Sequence, residues 1–366
     1  MRTSWTLFFA LLFLLWSLWS YLTPLREISA TIGSVWVALW ISYKLSGLLS
    51  TAFVKEVCGE GKAVLITGCD TGFGHRLAKR LSRKGFLVFA GCLSSKSDGA
   101  EELKLLPNIN VMQLDVTDQK QIDDALDAVK EQLDSRVLWS VVANAGIGTG
   151  GFLEWLTTET VAKVFDVNVL GTLRIIKKFL PLLRKSQGRV VTLASPLGHF
   201  TVPMVAPYCM TKHAVVSMMD AFRRECSGKG VDMITVEPSI YRTSLVSMYS
   251  VPKESVMLEL RKQAPEVVAE YSHAEVDYLL RAVDKFTQLL IRDNPEECVD
   301  VLEKAILETH PKTHYLSPWG LDQLYPLLIA TVPSEVADLT ISLTTKLLVK
   351  MLSKSPPSTS IVLNGH

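Results

Sequence analysis

Two kinds of hydrophobic pattern divide this chain. Residues 5–22 and 28–43 contain no charged side chain and are separated only by a break around Pro24-Leu25-Arg26-Glu27. Each run approaches the roughly 20 residues that a helix needs to cross a bilayer. A soluble core helix is seldom apolar on every side. Past Lys55 the pattern becomes short β-rich apolar runs alternating with amphipathic stretches, as expected for repeated βαβ units around a parallel sheet. Strands are expected at 63–66, 86–90, 111–114, 139–143, 189–193 and 233–236, with a helix through 76–81 after the first.

From about 252 to 311 the pattern is helical and rich in charge. Asn294-Pro295-Glu296-Glu297 reads as a helix start, with proline near the first helical position and acids in the first turn. Residues 325–332 and 336–351 are apolar enough to cap a greasy pocket, to touch a membrane or to pack as ordinary helices. The Ser- and Pro-rich tail 353–366 is expected to be disordered. The expected segments are therefore 1–55, 56–250, 251–352 and 353–366.

Five of the eight tryptophans, Trp5, Trp16, Trp19, Trp36 and Trp40, lie in the first segment, several near run ends where an aromatic belt would sit. A cleaved signal peptide would have a shorter apolar region followed by small residues, whereas Trp19, Ser20 and Tyr21 stand here. A mitochondrial presequence would be rich in arginine, and only Arg2 and Arg26 precede Lys44. The segment is therefore expected to be a membrane anchor of one or two spans. Two spans would leave Arg2 on the same side as Lys44, Lys55 and Lys62, which the positive-inside rule makes cytosolic. One span would allow the remainder to lie on the other face.

The 366 residues suffice for a large core, and a net charge of +1 gives no electrostatic footprint for nucleic acid. Six cysteines are scattered without a Cys-x-x-Cys pair, so neither a metal site nor a disulfide framework is expected. Oligomeric state is not written in the sequence, and a homo-oligomer stays open.

Candidate chemistry follows the strand pattern. Thr67-Gly68-Cys69-Asp70-Thr71-Gly72-Phe73-Gly74 stands between the first expected strand and a helix. Glycines there allow a tight turn and let backbone N–H groups approach a pyrophosphate at the helix N-terminus. This placement makes the fold class α/β, a Rossmann-type doubly wound parallel sheet, with an N-terminal membrane anchor and a C-terminal helical extension. Asp115 ends the third strand, where it could accept from an adenine amino group or serve as a loop acid or helix cap. Asn144-Ala145-Gly146 follows the fourth strand, and Asn168 lies in the next helix. Tyr208 and Lys212 are four apart, so on a helix they share a face. A nearby ammonium lowers a phenol pKa, and bringing it from about 10 to about 7 corresponds to roughly 4 kcal/mol.

In this order Gly68, Gly72, Gly74, Asp115, Asn144-Ala145-Gly146, Asn168, Ser195, Tyr208 and Lys212 resemble the short-chain dehydrogenase/reductase family from about Lys62 to Ser244. The resemblance implies that Tyr208 exchanges the proton of the reacting hydroxyl and that Ser195 holds the same oxygen. It further implies that Lys212 tunes Tyr208 and binds the nicotinamide ribose, while Asn168 holds a relay water. Cofactor contacts are implied for Gly68, Asp70, Gly72, Phe73, Gly74, Asp115, Asn144, Gly146, Tyr208, Lys212 and Thr243. Two departures stand out: Glu237-Pro238-Ser239 where the family has Pro-Gly, and Ala194 and Pro196 flanking Ser195.

No basic residue occupies the glycine-rich turn or follows the second strand at once, which favours NAD over NADP, although Lys96 keeps NADP open. The segments around Lys62–Asp70, Gly85–Leu93 and Pro207–Cys209 are similar to the branch holding D-beta-hydroxybutyrate dehydrogenase, type 2 17-beta-hydroxysteroid dehydrogenase and the membrane retinol dehydrogenases. Where the hydroxybutyrate enzyme has a basic residue three positions before the tyrosine, this chain has Val205. Val205 and Ser195 are therefore the expected substrate contacts. A lipophilic steroid- or retinoid-like alcohol fits better than a small acid. Oxidation of 3-hydroxybutyrate and a non-catalytic membrane scaffold are the alternatives. The expected location is a membrane, the endoplasmic reticulum first and a mitochondrial membrane second.

Overall fold

The computed structural model describes residues 5–51, 55–248, 252–317, 329 and 331–353. Aliphatic runs withdrawn from water form seven parallel strands: β1 (Lys62–Thr67), β2 (Leu87–Cys92), β3 (Ile109–Gln113), β4 (Val137–Ala143), β5 (Arg189–Leu193), β6 (Asp232–Pro238) and β7 (His314–Ser317). Their order is β3-β2-β1-β4-β5-β6-β7. Winding reverses between β1 and β4, and ligands bind at such a switch point, beyond the carboxyl ends of the strands. All six expected strands are present with slightly shifted ends. The seventh was not anticipated, because four residues, His-Tyr-Leu-Ser, carry too little alternation to announce a strand. It joins β6 in register Thr235 with His314.

Period-two alternation sends successive side chains to opposite faces. Val64 and Ile66 pack under α3 (Gly72–Arg83), α4 (Asp98–Lys104) and α12 (Glu296–Leu307). Ala63 and Leu65 face α5 (Gln119–Gln132), α7 (Thr172–Ser186) and α8 (Ala206–Glu225) on the other side. The expected helix start at Asn294-Pro295-Glu296-Glu297 is met, with Pro295 as the N-cap of α12. Arg189 opens β5 as a buried guanidinium, only 1% exposed. It donates to the carbonyls of Ala305, Ile306 and Glu308 at 3.2, 3.0 and 2.7 Å, thereby capping the C-terminus of α12.

The helical region after β6 belongs to the same compact unit as the sheet, Val57–His366. Helices α9 (Lys253–Leu260), α10 (Pro265–Glu270) and α11 (His273–Leu290) follow β6. Val256, Met257, Leu260 and Val276 bury Trp155 and Met204. Glu259 on α9 accepts from Thr157 N and Oγ1, both at 3.2 Å, and from Thr160 Oγ1 at 2.9 Å. It thereby ties α9 to the start of α6 (Thr158–Phe165). Helix α13 (Ser334–Ser353) covers the expected apolar run at 336–351. Five of the eight residues of the run at 325–332 lie outside the described residues, as does the expected tail 353–366 beyond Ser353, which ends α13.

The other unit, Met1–Glu56, consists of α1 (Trp5–Tyr21) and α2 (Thr23–Thr51). The expected break shifts: Pro24 to Glu27 lie in α2, whose first turn tolerates a residue without N–H. Trp19 Nε1 donates to Ser29 Oγ at 3.0 Å and links the two helices. With 17 residues, α1 extends about 25 Å at about 1.5 Å per residue, less than the roughly 30 Å hydrocarbon core. Among the described residues no single helix is long and apolar enough to cross a membrane. Phe9–Tyr21 and Arg26–Ser42 meet the test only together, bent by 100°. Their large apolar side chains, Phe13, Trp16, Ile32 and Trp36 among them, are exposed.

Burial alone would raise the Glu259 pKa, but hydrogen bonds from Lys262, Thr157 and Thr160 outweigh it and hold the group at about 2. A carboxylate depressed in the fold contributes stability above its unfolded pKa and loses it as pH falls through the folded value. Glu259→Gln is expected to cost about 1 kcal/mol at neutral pH. Denaturant melts at decreasing pH should show the difference from the parent vanishing between about 4.5 and 2.

Candidate active site

The turn between β1 and α3 lies at the switch point. Gly68 holds φ +70°, and a Cβ there would come within 2.9 Å of the Ala145 Cα. At Gly74 a Cβ would meet Asn144 Nδ2 and the Gly68 carbonyl oxygen, each at 2.5 Å. Only glycine allows so close an approach of turn, helix and β4 end. Asn144 fastens the three: its Nδ2 donates to the carbonyls of Thr67 and Gly68 at 2.8 and 2.9 Å, and its amide donates to Thr67 Oγ1 at 3.1 Å.

Thr71 stands at the N-cap of α3 but supplies no capping bond. Its hydroxyl pairs instead with Ser244 Oγ at 2.9 Å. The first-turn amides are thus left for an anion at the positive end of the helix. Phe73 packs edge-on against Tyr241, centroids 5.6 Å apart, and a Cβ at Gly72 would lie 3.8 Å from that of Thr243. The segment after β6 therefore closes over the turn. Ser239 fits there because its amide donates to the Ser317 carbonyl at 2.7 Å, continuing the ladder.

Asp70 accepts from the amides of Leu93 and Ser94 at 2.8 and 3.0 Å and from Ser97 Oγ at 3.1 Å. It anchors the loop after β2. Asp115 lies two residues beyond β3, and its Oδ1 accepts from Thr117 N and Oγ1 at 2.8 and 2.7 Å, so one of its oxygens braces the loop. Gly146 lies beside Asn168, whose Oδ1 would be 3.4 Å from a Cβ there.

Asn168 sits in a π-helical turn, Asp166–Gly171, an interruption that recurs at functional sites. Only 2% exposed, its Oδ1 accepts from Ile147 N at 2.8 Å. Its Nδ2 donates to Ile147 O at 2.8 Å and to Thr211 Oγ1 at 3.1 Å. Thr211 in turn donates to the Tyr208 carbonyl at 2.7 Å. The brace through Ile147 and Thr211 was not foreseen, since Thr211 is an unremarked residue inside the Tyr-x-x-x-Lys spacing.

Ser195 ends β5 and caps the short turn Pro196–Gly198, accepting from Leu197 N at 3.2 Å. Pro196 is harmless at the first position of that turn, where no N–H is needed. The Ser195 side chain hydrogen-bonds Tyr208. Helix α8 carries Tyr208 and Lys212, both buried. Lys212 Nζ donates to the Leu193 carbonyl at 2.7 Å and lies 5.4 Å from the Tyr208 ring centroid. Val205, 1% exposed, packs with Leu197, Tyr208 and Cys209.

Burial bears on the acidity of both groups. Burial raises the Tyr208 pKa above that of an ordinary phenol, and the Ser195 hydrogen bond lowers it only in part. Burial depresses Lys212 to about 8. The group remains predominantly cationic at neutral pH.

A sequence model described as short chain dehydrogenase matches residues 62–253. Retinol dehydrogenase 7 of Mus musculus is 36% identical over 281 residues, spanning 76% of this chain and 87% of the relative. Mitochondrial D-beta-hydroxybutyrate dehydrogenase of Rattus norvegicus is 37% identical, spanning 70% and 76%. For 17-beta-hydroxysteroid dehydrogenase type 6 of Homo sapiens the values are 34%, 76% and 87%. A crystal structure of a short chain dehydrogenase from Burkholderia cenocepacia in complex with NADP superposes with a TM-score of 0.57 at 20% identity, over 76% of this chain and 97% of the other.

A buried lysine with a lowered pKa weakens the fold wherever it is charged. The unfolded chain binds more protons between the folded value of about 8 and the ordinary 10.5, so this contribution to stability rises with pH across that window. Lys212→Met is expected to stabilise the protein by about 1–3 kcal/mol at pH 7. Thermal melts at stepped pH should show the gain shrinking towards pH 10.

Proposed function

The chain belongs to the short-chain dehydrogenase family of oxidoreductases acting on CH–OH groups, and from that premise we propose that it interconverts an alcohol and its carbonyl on a lipophilic, steroid- or retinoid-like substrate. One observation carries the substrate class. Val205 and Leu197 form an apolar wall against Tyr208, and Val205 stands where a carboxylate substrate would need a cation. The named activities of the relatives, on retinol and on hydroxysteroids, agree with it.

NAD is the proposed cofactor. The residues present suit it: Gly68 and Gly74 let the turn lie close against Asn144 and Ala145 at the β4 end, and Thr71 leaves the α3 N-terminus uncapped for a pyrophosphate. When bound, the nicotinamide accepts or gives the hydride. The Asp70 carboxylate, held at the loop after β2, places negative charge where a 2′-phosphate would need a cation.

Tyr208 exchanges the proton of the reacting hydroxyl, and Ser195 donates to the same oxygen, stabilising alkoxide charge as it develops. Lys212 remains a cation at neutral pH, holds the ribose and adds positive potential at the phenol. Asn168, locked by Ile147 and Thr211, fixes the backbone over which the proton passes to solvent. The Met1–Glu56 unit is proposed to embed its exposed apolar helices in a membrane. The endoplasmic reticulum is the first choice, and a mitochondrial membrane the second.

The test is turnover by the purified full chain in detergent, followed through reduced-cofactor absorbance with retinol, sterols and 3-hydroxybutyrate. Sterols or retinol should react, and Tyr208→Phe should lower kcat by at least about a hundredfold with cofactor binding retained. Exclusive turnover of 3-hydroxybutyrate would sink the lipophilic reading. The same assay should show preference for NAD over NADP, and Asp70→Asn should narrow it; an unchanged ratio would remove Asp70 from cofactor selection.

A further inference from the structure

Away from the dehydrogenase site, three side chains that the sequence did not associate converge at the outer edge of the sheet. Glu237 lies near the end of β6, His314 opens β7, and His199 lies four positions beyond Ser195 in the segment after β5. The Glu237 carboxylate is only 1% exposed. One of its oxygens is 2.7 Å from His199 Nε2, and the other is 3.4 Å from His314 Nε2. The candidate ligand atoms all lie within 4.8 Å of one another.

His314 is held from its other side, with Thr235 Oγ1 at 2.9 Å from Nδ1. That hydroxyl can accept from an Nδ1–H, and in that tautomer Nε2 presents a lone pair towards the Glu237 carboxylate, where a divalent ion can sit. A hydrogen bond at the second ring nitrogen is what orients a histidine metal ligand. The two histidines are partly exposed and border a cavity of about 330 Å³, lined also by Asp220, Arg223 and Thr235, so water can complete the coordination.

We propose that His199, Glu237 and His314 bind one late first-row divalent metal ion, with zinc the best match. Two imidazoles and one carboxylate suit zinc and not magnesium, which prefers oxygen ligands and six-coordination. Tetrahedral zinc with bonds near 2.0–2.1 Å needs ligand separations of about 3.3 Å, which small rotations of the exposed imidazoles reach. The expectation that no metal site exists rested on the lack of a Cys-x-x-Cys pair or His cluster along the sequence, whereas these three ligands are brought together only by the fold. An ion here would fasten the Ser195 segment to β6 and to the edge strand β7.

The experiment uses the untagged full chain, stripped with EDTA and returned to chelator-free buffer. Zinc uptake is read by competition with a chromophoric chelator, and thermal midpoints are recorded with zinc or magnesium. The expected result is one zinc per chain at micromolar concentration, a raised midpoint with zinc and none with magnesium. His199→Ala and His314→Ala, both at exposed positions, should each weaken uptake by at least about tenfold, and Thr235→Ala by a similar factor. Absence of uptake by the parent, or uptake by both histidine variants equal to that of the parent, would overturn the proposal.

Discussion

The Asn144 side chain is the interaction on which the site depends. Where the sheet reverses its winding, the ends of β1 and β4 diverge and open the crevice, and their terminal carbonyls lose ladder partners. The Asn144 amide supplies the missing donors to Thr67 and Gly68, so the crevice is open yet fixed in width. The glycine at 74 is forced by that same side chain, which occupies the space of its Cβ. Phosphate loop and sheet end are therefore one mechanical piece.

A second piece, across the crevice, carries the proton chemistry. Asn168, Thr211 and Ile147 join the π-turn, α8 and the segment after β4. Lys212 adds a link to the end of β5. Tyr208 thereby sits on a rigid support, with Ser195 lowering its phenol pKa against the effect of burial. A helix that holds its lysine through a backbone carbonyl fixes the ammonium before any ligand arrives.

Much of this was legible in the chain. Short continuous apolar runs place six strands, and the glycine spacing places the phosphate turn, because both depend on local sequence. What was not legible depends on distant partners. β7 acquires its identity only from pairing with β6. Asp70 and Asp115 are ordinary acids until the loops they brace come near. The lowered pKa expected of Tyr208 drew on the Lys212 cation and the cofactor's positive charge, and the burial that opposes them is set by packing that the sequence does not show. His199, Glu237 and His314 are separated in sequence by 38 and 77 positions, beyond any spacing rule for ligands.

Arg189 has a consequence for the order in which this chain can mature. The guanidinium at the start of β5 finds its acceptors on the last turn of α12, 116 to 119 residues downstream. During synthesis, β5 emerges long before those carbonyls exist, and a charge without partners is costly to enclose in the core. The middle of the sheet is thus obliged to remain hydrated until the ribosome has delivered α12. This unit completes its interior late, as a whole, and not strand by strand from the amino end.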